Sequence, residues 1–240
     1  MSSPYIDKNT LIKKIKDFIN IHKTLFLDNQ SRMSDYFEMS VYNDVVQSYK
    51  NNGYKIKIKN LSKGNVFRYK LSPSGLAENF SYFILNKNNN DVEVHHNIST
   101  SSFHDENLSY TPDISVTSLD GVNTRKRNNG TRYSFIEKSN LITFFEVKNR
   151  NSYAELLFSF IGLVNEITPE FLENHLYQSD NGEHCAPSLV LSGVSSHQAD
   201  IIKESLEKRY YINIITDLYY GQSIADRISS LKLFEHRKNT

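Results

Sequence analysis

Apolar residues recur at helical spacing over residues 9–28, where Leu11, Ile15, Phe18, Ile19, Leu25 and Phe26 share one side and Lys13, Lys14, Lys16 and Lys23 fall mostly on the other. The spacing predicts an amphipathic helix docked by its apolar stripe. A second helix is predicted over 34–50, with Phe37, Val41, Val45 and Tyr49 four apart and Asn51-Asn52-Gly53 offering a left-handed cap. The period then changes to two. Residues 54–59 alternate Lys55, Lys57 and Lys59 with Ile56 and Ile58, a strand with one basic face. From Lys55 to Ala77 there are six Lys or Arg residues and no acid, which suits either a phosphate backbone or the lysine protection of an exposed sheet edge.

Residues 79–86 are apolar and aromatic, and periodicity does not choose between strand and helix there. A turn over 88–91 leads to a predicted strand over 92–98. Its adjacent His95 and His96 face opposite ways, so they cannot chelate one metal together. Residues 99–110 are polar and read as a loop, and 113–117 as a strand. Residues 121–136 carry Arg125, Lys126, Arg127 and Arg132 without an acid, around Asn129-Gly130, a strong hairpin signal. Such a hairpin could track a phosphate backbone or stand as a solvated tip. A strand over 141–148 follows, and Asn149–Ser152 is expected to cap a mostly apolar helix over 153–167 that lies buried across the sheet. After a polar crossing at 174–185 come a buried strand over 188–194, a helix over 197–209 capped by Ser195 or Ser196, a strand over 211–216, and a helix with a basic tail over 223–240. This order predicts an α/β sandwich with a mixed sheet whose later strands are parallel.

Composition narrows the picture. With 38% hydrophobic and 12% aromatic residues in 240, wholesale disorder is excluded and a sizeable core is within reach. A net charge of +1 means that any affinity for a polyanion must come from local patches. The single cysteine, Cys185, excludes an internal disulfide and a cysteine-rich zinc site. No apolar run approaches the roughly 18 residues of a membrane span, and the first residues lack a signal-peptide core, so a cytoplasmic protein without membrane partners is expected. Ser192–His197 lacks the flanking glycines of a nucleophile elbow, and there is no glycine-rich phosphate loop or dinucleotide fingerprint.

Two stretches place charge where a buried strand should carry none: Thr111-Pro112-Asp113-Ile114-Ser115-Val116 and Phe144-Phe145-Glu146-Val147-Lys148-Asn149. Glu146 and Lys148 share a strand face, and a lone buried charge is costly unless paired or bound to a metal. If Asp113 lies alongside, two carboxylates and a lysine converge, which suits a hard divalent cation and an oriented water. The plainer reading is an ion pair between Glu146 and Lys148 at the end of a surface strand.

Pro112-Asp113, a gap, then apolar-apolar-Glu146-Val147-Lys148 followed by a helix resembles the PD-(D/E)xK nuclease superfamily, over residues 34–216. The resemblance implies a restriction-endonuclease-like αβα sandwich with a mixed central sheet plus N- and C-terminal helices: a helical extension at 1–30, the α/β core at 31–220, and a C-terminal helix and basic tail at 221–240. It implies metal ligation by Asp113, Glu146 and the main-chain carbonyl of Val147, with Asp113, Glu146 and Lys148 as the catalytic residues. A further acid comes from the preceding helix in many members; Glu38 matches by position, and Glu93 is its rival. The implied cofactor is Mg²⁺, with Mn²⁺ as a substitute. The implied activity is phosphodiester hydrolysis in nucleic acid, DNA above RNA, with Lys55, Lys57, Lys59, Arg125, Lys126, Arg127 and Arg132 on the backbone. A homodimer would supply two sites for the two strands of a duplex. The competing expectation is a non-catalytic nucleic-acid-binding or scaffold protein that keeps the fold.

Overall fold

The computed structural model describes residues 7–26, 32–88, 90–173, 182–218, 223–227 and 230–236. Helix α1 (Lys8–Ile21) begins where the Asp7 carboxylate accepts from the amides of Asn9 and Thr10, and buries Leu11, Ile15 and Ile19. It ends earlier than its apolar spacing suggests. Lys23 adopts φ 56° and the Thr24 hydroxyl closes onto the Ile19 carbonyl at 2.8 Å, so Leu25 and Phe26 leave the helix as strand β1 (Leu25–Phe26). Helix α2 (Met33–Asn51) follows the expected span and stops before Gly53, which takes φ 88°. Residues are buried on nearly all its sides, because it is wedged between the sheet, α1 and the short helix α5 (Ile224–Arg227).

The remaining strands are β2 (Lys55–Lys59), β3 (Val66–Phe67), β4 (Tyr82–Asn86), β5 (Val92–His96), β6 (Ser99–Ser101), β7 (Ser109–Tyr110), β8 (Ile114–Ser118), β9 (Val122–Lys126), β10 (Arg132–Ile136), β11 (Leu141–Lys148), β12 (His184–Cys185), β13 (Ser188–Leu191), β14 (Asn213–Ile215) and β15 (Leu233–Phe234). Seven of them form the central sheet in the order β14-β13-β11-β8-β5-β4-β2. As expected, the later strands β11, β13 and β14 are parallel, joined by α3 (Ala154–Ile167) and α4 (His197–Arg209), while the pairs from β11 to β2 are antiparallel.

Strand register assigns the two faces. Phe83, Val94 and Val116 lie side by side, and Tyr42 of α2 packs on Phe83 and donates its hydroxyl to the Val94 carbonyl at 2.6 Å. The opposite face carries Ser115 beside Phe144, whose ring meets Phe160 of α3. Helices therefore flank a large mixed sheet on both sides. His95 and His96 point to opposite faces as alternation requires, His95 stacking on Tyr82 and His96 lying against Tyr42.

Several expectations need correction. The polar run 99–110 contains β6 and β7, which join β9 and β10 in a second sheet of order β7-β6-β10-β9. These strands have no apolar alternation to reveal them; they are tied by polar side chains, Ser99 to Thr111 at 3.0 Å and Thr100 to the Ile136 carbonyl at 3.2 Å. Helix α3 starts after Tyr153 with no side-chain cap, and it is buried only along Leu157, Phe160, Val164 and Ile167, leaving Phe158 half exposed. The segment expected as a C-terminal helix is instead the four-residue α5 followed by β15, which pairs with β12; the tail at 237–240 lies outside the described residues. Ser196, not Ser195, caps α4 by accepting from the Ala199 amide. No helix among the described residues is long and apolar enough to cross a membrane.

Candidate active site

Strands β8 and β11 pair through Ile114 and Phe145, and the next step of the ladder sets Glu146 opposite Asp113, the residue just before β8. Glu146, Lys148 and Asp113 fall on one face by alternation, at the end of the sheet where β11 runs on past β8. The Asp113 carboxylate takes the place of a ladder partner, accepting the Val147 amide at 2.6 Å and the Lys148 ammonium at 2.9 Å. Because a strand residue presents its N–H and C=O to the same neighbour, the Val147 carbonyl also leaves on the Asp113 side. Lys148 completes a bridge, with Nζ 2.6 Å from Glu146 Oε1.

Helix α2 brings Glu38 to the same place. Its carboxylate accepts from the Asn97 amide nitrogen at 2.5 Å, and the Asn97 backbone donates to the Asp113 carbonyl at 2.9 Å. Asn97 follows β5 in the left-handed region, φ 49°. Lys70, buried among these groups, fixes it further: its ammonium donates to the carbonyls of Asn97 at 2.7 Å and Ser72 at 2.5 Å, and Asn97 donates back to the Lys70 carbonyl at 3.0 Å. Burial pulls the Lys70 ammonium down to about 8.

The electrostatics reflect a surplus of negative charge. Burial first, and then Asp113, push Glu38 up to about 8 against the pull of Asn97 and Lys148. The same two causes push Glu146 up to about 6. Burial acts to lower Lys148, but Asp113 and Glu146 outweigh it and hold the ammonium above the ordinary lysine value. Lys148 thus keeps its proton near neutral pH. Among the described residues no three His, Cys, Asp or Glu side chains form a group that could hold a metal ion; Lys148 bridges two of the carboxylates, and Glu38 accepts from Asn97.

A carboxyl whose folded-state pKa stands above its unfolded value favours folding fully only below the unfolded value. For Glu38 and Glu146 that contribution is present below about 4.5 and is lost as the pH rises through about 6 and then about 8. Glu38→Gln, which mimics the protonated acid, is therefore expected to raise the melting temperature of the metal-free protein by several degrees near pH 9 and by little near pH 4, measured by thermal unfolding in chelator. An equal shift at both pH values would contradict the buried, charge-crowded setting of Glu38.

Glu93, the rival to Glu38, is buried on β5 beside His95, to which it hydrogen-bonds at 2.9 Å; it is paired across from Thr117, further along β8 than Asp113. The expected backbone-binding residues are not gathered here. Arg125 is clamped to both oxygens of Glu137 at 2.7 and 2.8 Å and lies over Phe135 at 3.7 Å, and Arg127 lies over Tyr133. Lys126 and Arg132 are cross-strand neighbours at the exposed hairpin tip. Lys55, Lys57 and Lys59 sit on β2, the outermost strand and three strands from β8, about 14 Å away at the usual strand spacing. That is the edge position lysines protect.

Sequence reading did not single out Asn97 or Lys70. An asparagine directly after a strand is the one local hint for a left-handed position, and Lys70 was hidden in a run of surface lysines. Beyond Lys148, residues 149–150 pack against 192–193: Ser192 donates its hydroxyl to Asn149 Oδ1 at 2.6 Å, and the Gly193 amide donates to the Arg150 carbonyl at 3.1 Å. A Cβ at Gly193 would lie 2.8 Å from the Asn151 backbone, so Gly193→Ala is expected to cost roughly 1–3 kcal/mol in thermal or urea unfolding.

No protein-family model, curated protein or solved structure matches this chain. What fold and site define together is an α/β protein with a large mixed sheet flanked by helices, carrying a lysine among three carboxylates at one end of that sheet.

Proposed function

We propose that this protein is a divalent-metal-dependent nuclease of restriction-endonuclease-like fold, hydrolysing phosphodiester bonds in DNA at Asp113, Glu146 and Lys148. The observation that carries the reading is that Asp113 and Glu146 share the single Lys148 ammonium while the buried Glu38 lies within reach of the charges of Asp113 and Lys148, with Glu38 and Glu146 pushed upward by burial and by Asp113. Such a set is short of positive charge, and its donors are all oxygen, which fits Mg²⁺ or Mn²⁺. Asp113, Glu146, the Val147 carbonyl and Glu38 would hold the ion. When bound, it would supply an oriented, more acidic water and offset charge developing on phosphorus.

The chain's own residues do the rest. Asp113, fixed by the Val147 amide, presents its carboxylate at a set angle. Lys148, relieved of one carboxylate partner, would turn its charge to a phosphate oxygen and stabilise the charge that builds as water adds and the P–O bond breaks. The exposed Lys126 and Arg132 suit contacts to a flanking backbone, whereas Arg125 is committed to Glu137. One observation favours the second reading, a nucleic-acid-binding or scaffold protein without catalysis: among the described residues no three His, Cys, Asp or Glu side chains form a group that could hold a metal ion.

Purified protein incubated with Mg²⁺ or Mn²⁺ should cut plasmid or linear DNA, and chelator should stop it. Intact plasmid, single-stranded DNA and RNA under all these conditions would leave the non-catalytic reading standing.

A further inference from the structure

We propose a second binding site, for an organic cation bearing a guanidinium or amine group, in the cleft between β4–β5 and the β9–β10 hairpin. The cleft holds about 190 Å³ and is independent of the nuclease reading. Glu93 and His95 of β5 and Tyr82 of β4 form its floor, Asn123 of the hairpin is in its roof, and Glu78 and Asp120 stand exposed at its rim. It extends along the sheet away from Asp113: His95 pairs with Ser115, Glu93 with Thr117, and Asp120 lies beyond the far end of β8.

Three features select the guest. Glu78, Glu93 and Asp120 line the cleft and no lysine or arginine does, so a phosphate backbone is repelled and a cation is favoured. The buried imidazole of His95 spends Nε2 on Glu93 at 2.9 Å. A carboxylate only accepts, so Nε2 carries the hydrogen of that bond, which fixes Glu93 as an acceptor in the floor. Tyr82 stacks on His95 with ring centroids 4.4 Å apart, and burial followed by Glu93 and Asp120 pushes its phenol up to about 12. The same field that holds the Tyr82 proton stabilises a positive guest, and the ring offers a cation–π wall. Carboxylates and an aromatic face together match a planar group with several N–H donors.

Free cations and the arginine side chain of a partner protein carry the same chemistry, and two probes separate them. Full-length protein titrated calorimetrically with agmatine, and in parallel with a short arginine-containing peptide, should bind one probe per chain. The tighter probe identifies the source. Asp120→Asn and Glu78→Gln alter exposed positions, and asparagine tolerates the left-handed backbone of Asp120 (φ 57°), so both variants should fold. Each is expected to weaken binding by about tenfold, more strongly at low salt. Failure of both probes to bind at millimolar concentration, or binding that neither variant weakens, would overturn the proposal.

Discussion

Lys148→Ala is expected to lower Mg²⁺-dependent DNA cleavage by a factor of about 10²–10⁴, with Asp113→Ala and Glu146→Ala at least as severe. The three differ in a second measurement, which ties the loss to the site. In the metal-free protein Lys148 is the cation that Asp113 and Glu146 share, at 2.9 and 2.6 Å. Removing it leaves two facing carboxylates without a counter-charge, so Lys148→Ala should melt lower than wild type in chelator at neutral pH. A bound divalent ion would supply the missing charge, so the melting temperature of Lys148→Ala should rise more on adding Mg²⁺ than that of wild type. Asp113→Ala removes a ligand and should abolish the rise. A Lys148→Ala protein that cleaves at the wild-type rate would exclude Lys148 from the chemistry; cleavage lost while all three variants keep an unaltered Mg²⁺ response would place the metal elsewhere.

Asn97→Ala is expected to be the most damaging single substitution around the site at a residue that is neither a proposed catalytic group nor a proposed metal ligand. It removes the hydrogen bonds to Glu38 and to the Lys70 carbonyl, roughly 1–3 kcal/mol for the buried carboxyl and about 1 for the other. It also forces alanine into the left-handed region at φ 49°, a further 1–2 kcal/mol or so. The sum, about 3–6 kcal/mol, corresponds to a melting temperature lower by roughly 10 °C or more in a chain of this size. Asn97→Gly loses the same hydrogen bonds but accepts the backbone, so it should recover the conformational part, and the gap between the two variants isolates it. Both should weaken the stabilisation by Mg²⁺, because Glu38 loses the group that aims it. A melting temperature unchanged in Asn97→Ala would show that the Lys70–Asn97–Glu38 connection contributes nothing to the fold.

Legibility in the sequence followed the reach of the forces involved. Alternation and helical spacing are local, so α2, β5, β8 and β11 could be read from apolar periodicity, and the succession of strand and helix after β11 implied that the later strands are parallel. Charge on an otherwise apolar strand is also local, and it singled out Asp113, Glu146 and Lys148. Where burial depends on what arrives from elsewhere, periodicity misled. Leu25 and Phe26 continue the apolar stripe of α1 but pair with Val66 and Phe67, and the polar residues of β6 become buried only because β7 and β10 flank them.

The sequence by itself determined the strands that carry the charged residues and the face each occupies, because the two-residue repeat of a strand leaves no other choice. Only the tertiary structure decided that Glu38 rather than Glu93 stands with Asp113, that Arg125 is spent on Glu137, and that the lysines of β2 lie at the sheet edge. Those outcomes depend on interactions between residues 12 to 75 positions apart in the chain, the ion pair of Arg125 with Glu137 at one end and the charge interaction of Glu38 with Asp113 at the other. No pattern within a single element records such distances; the packing of α2 against the sheet and the pairing order of the strands do.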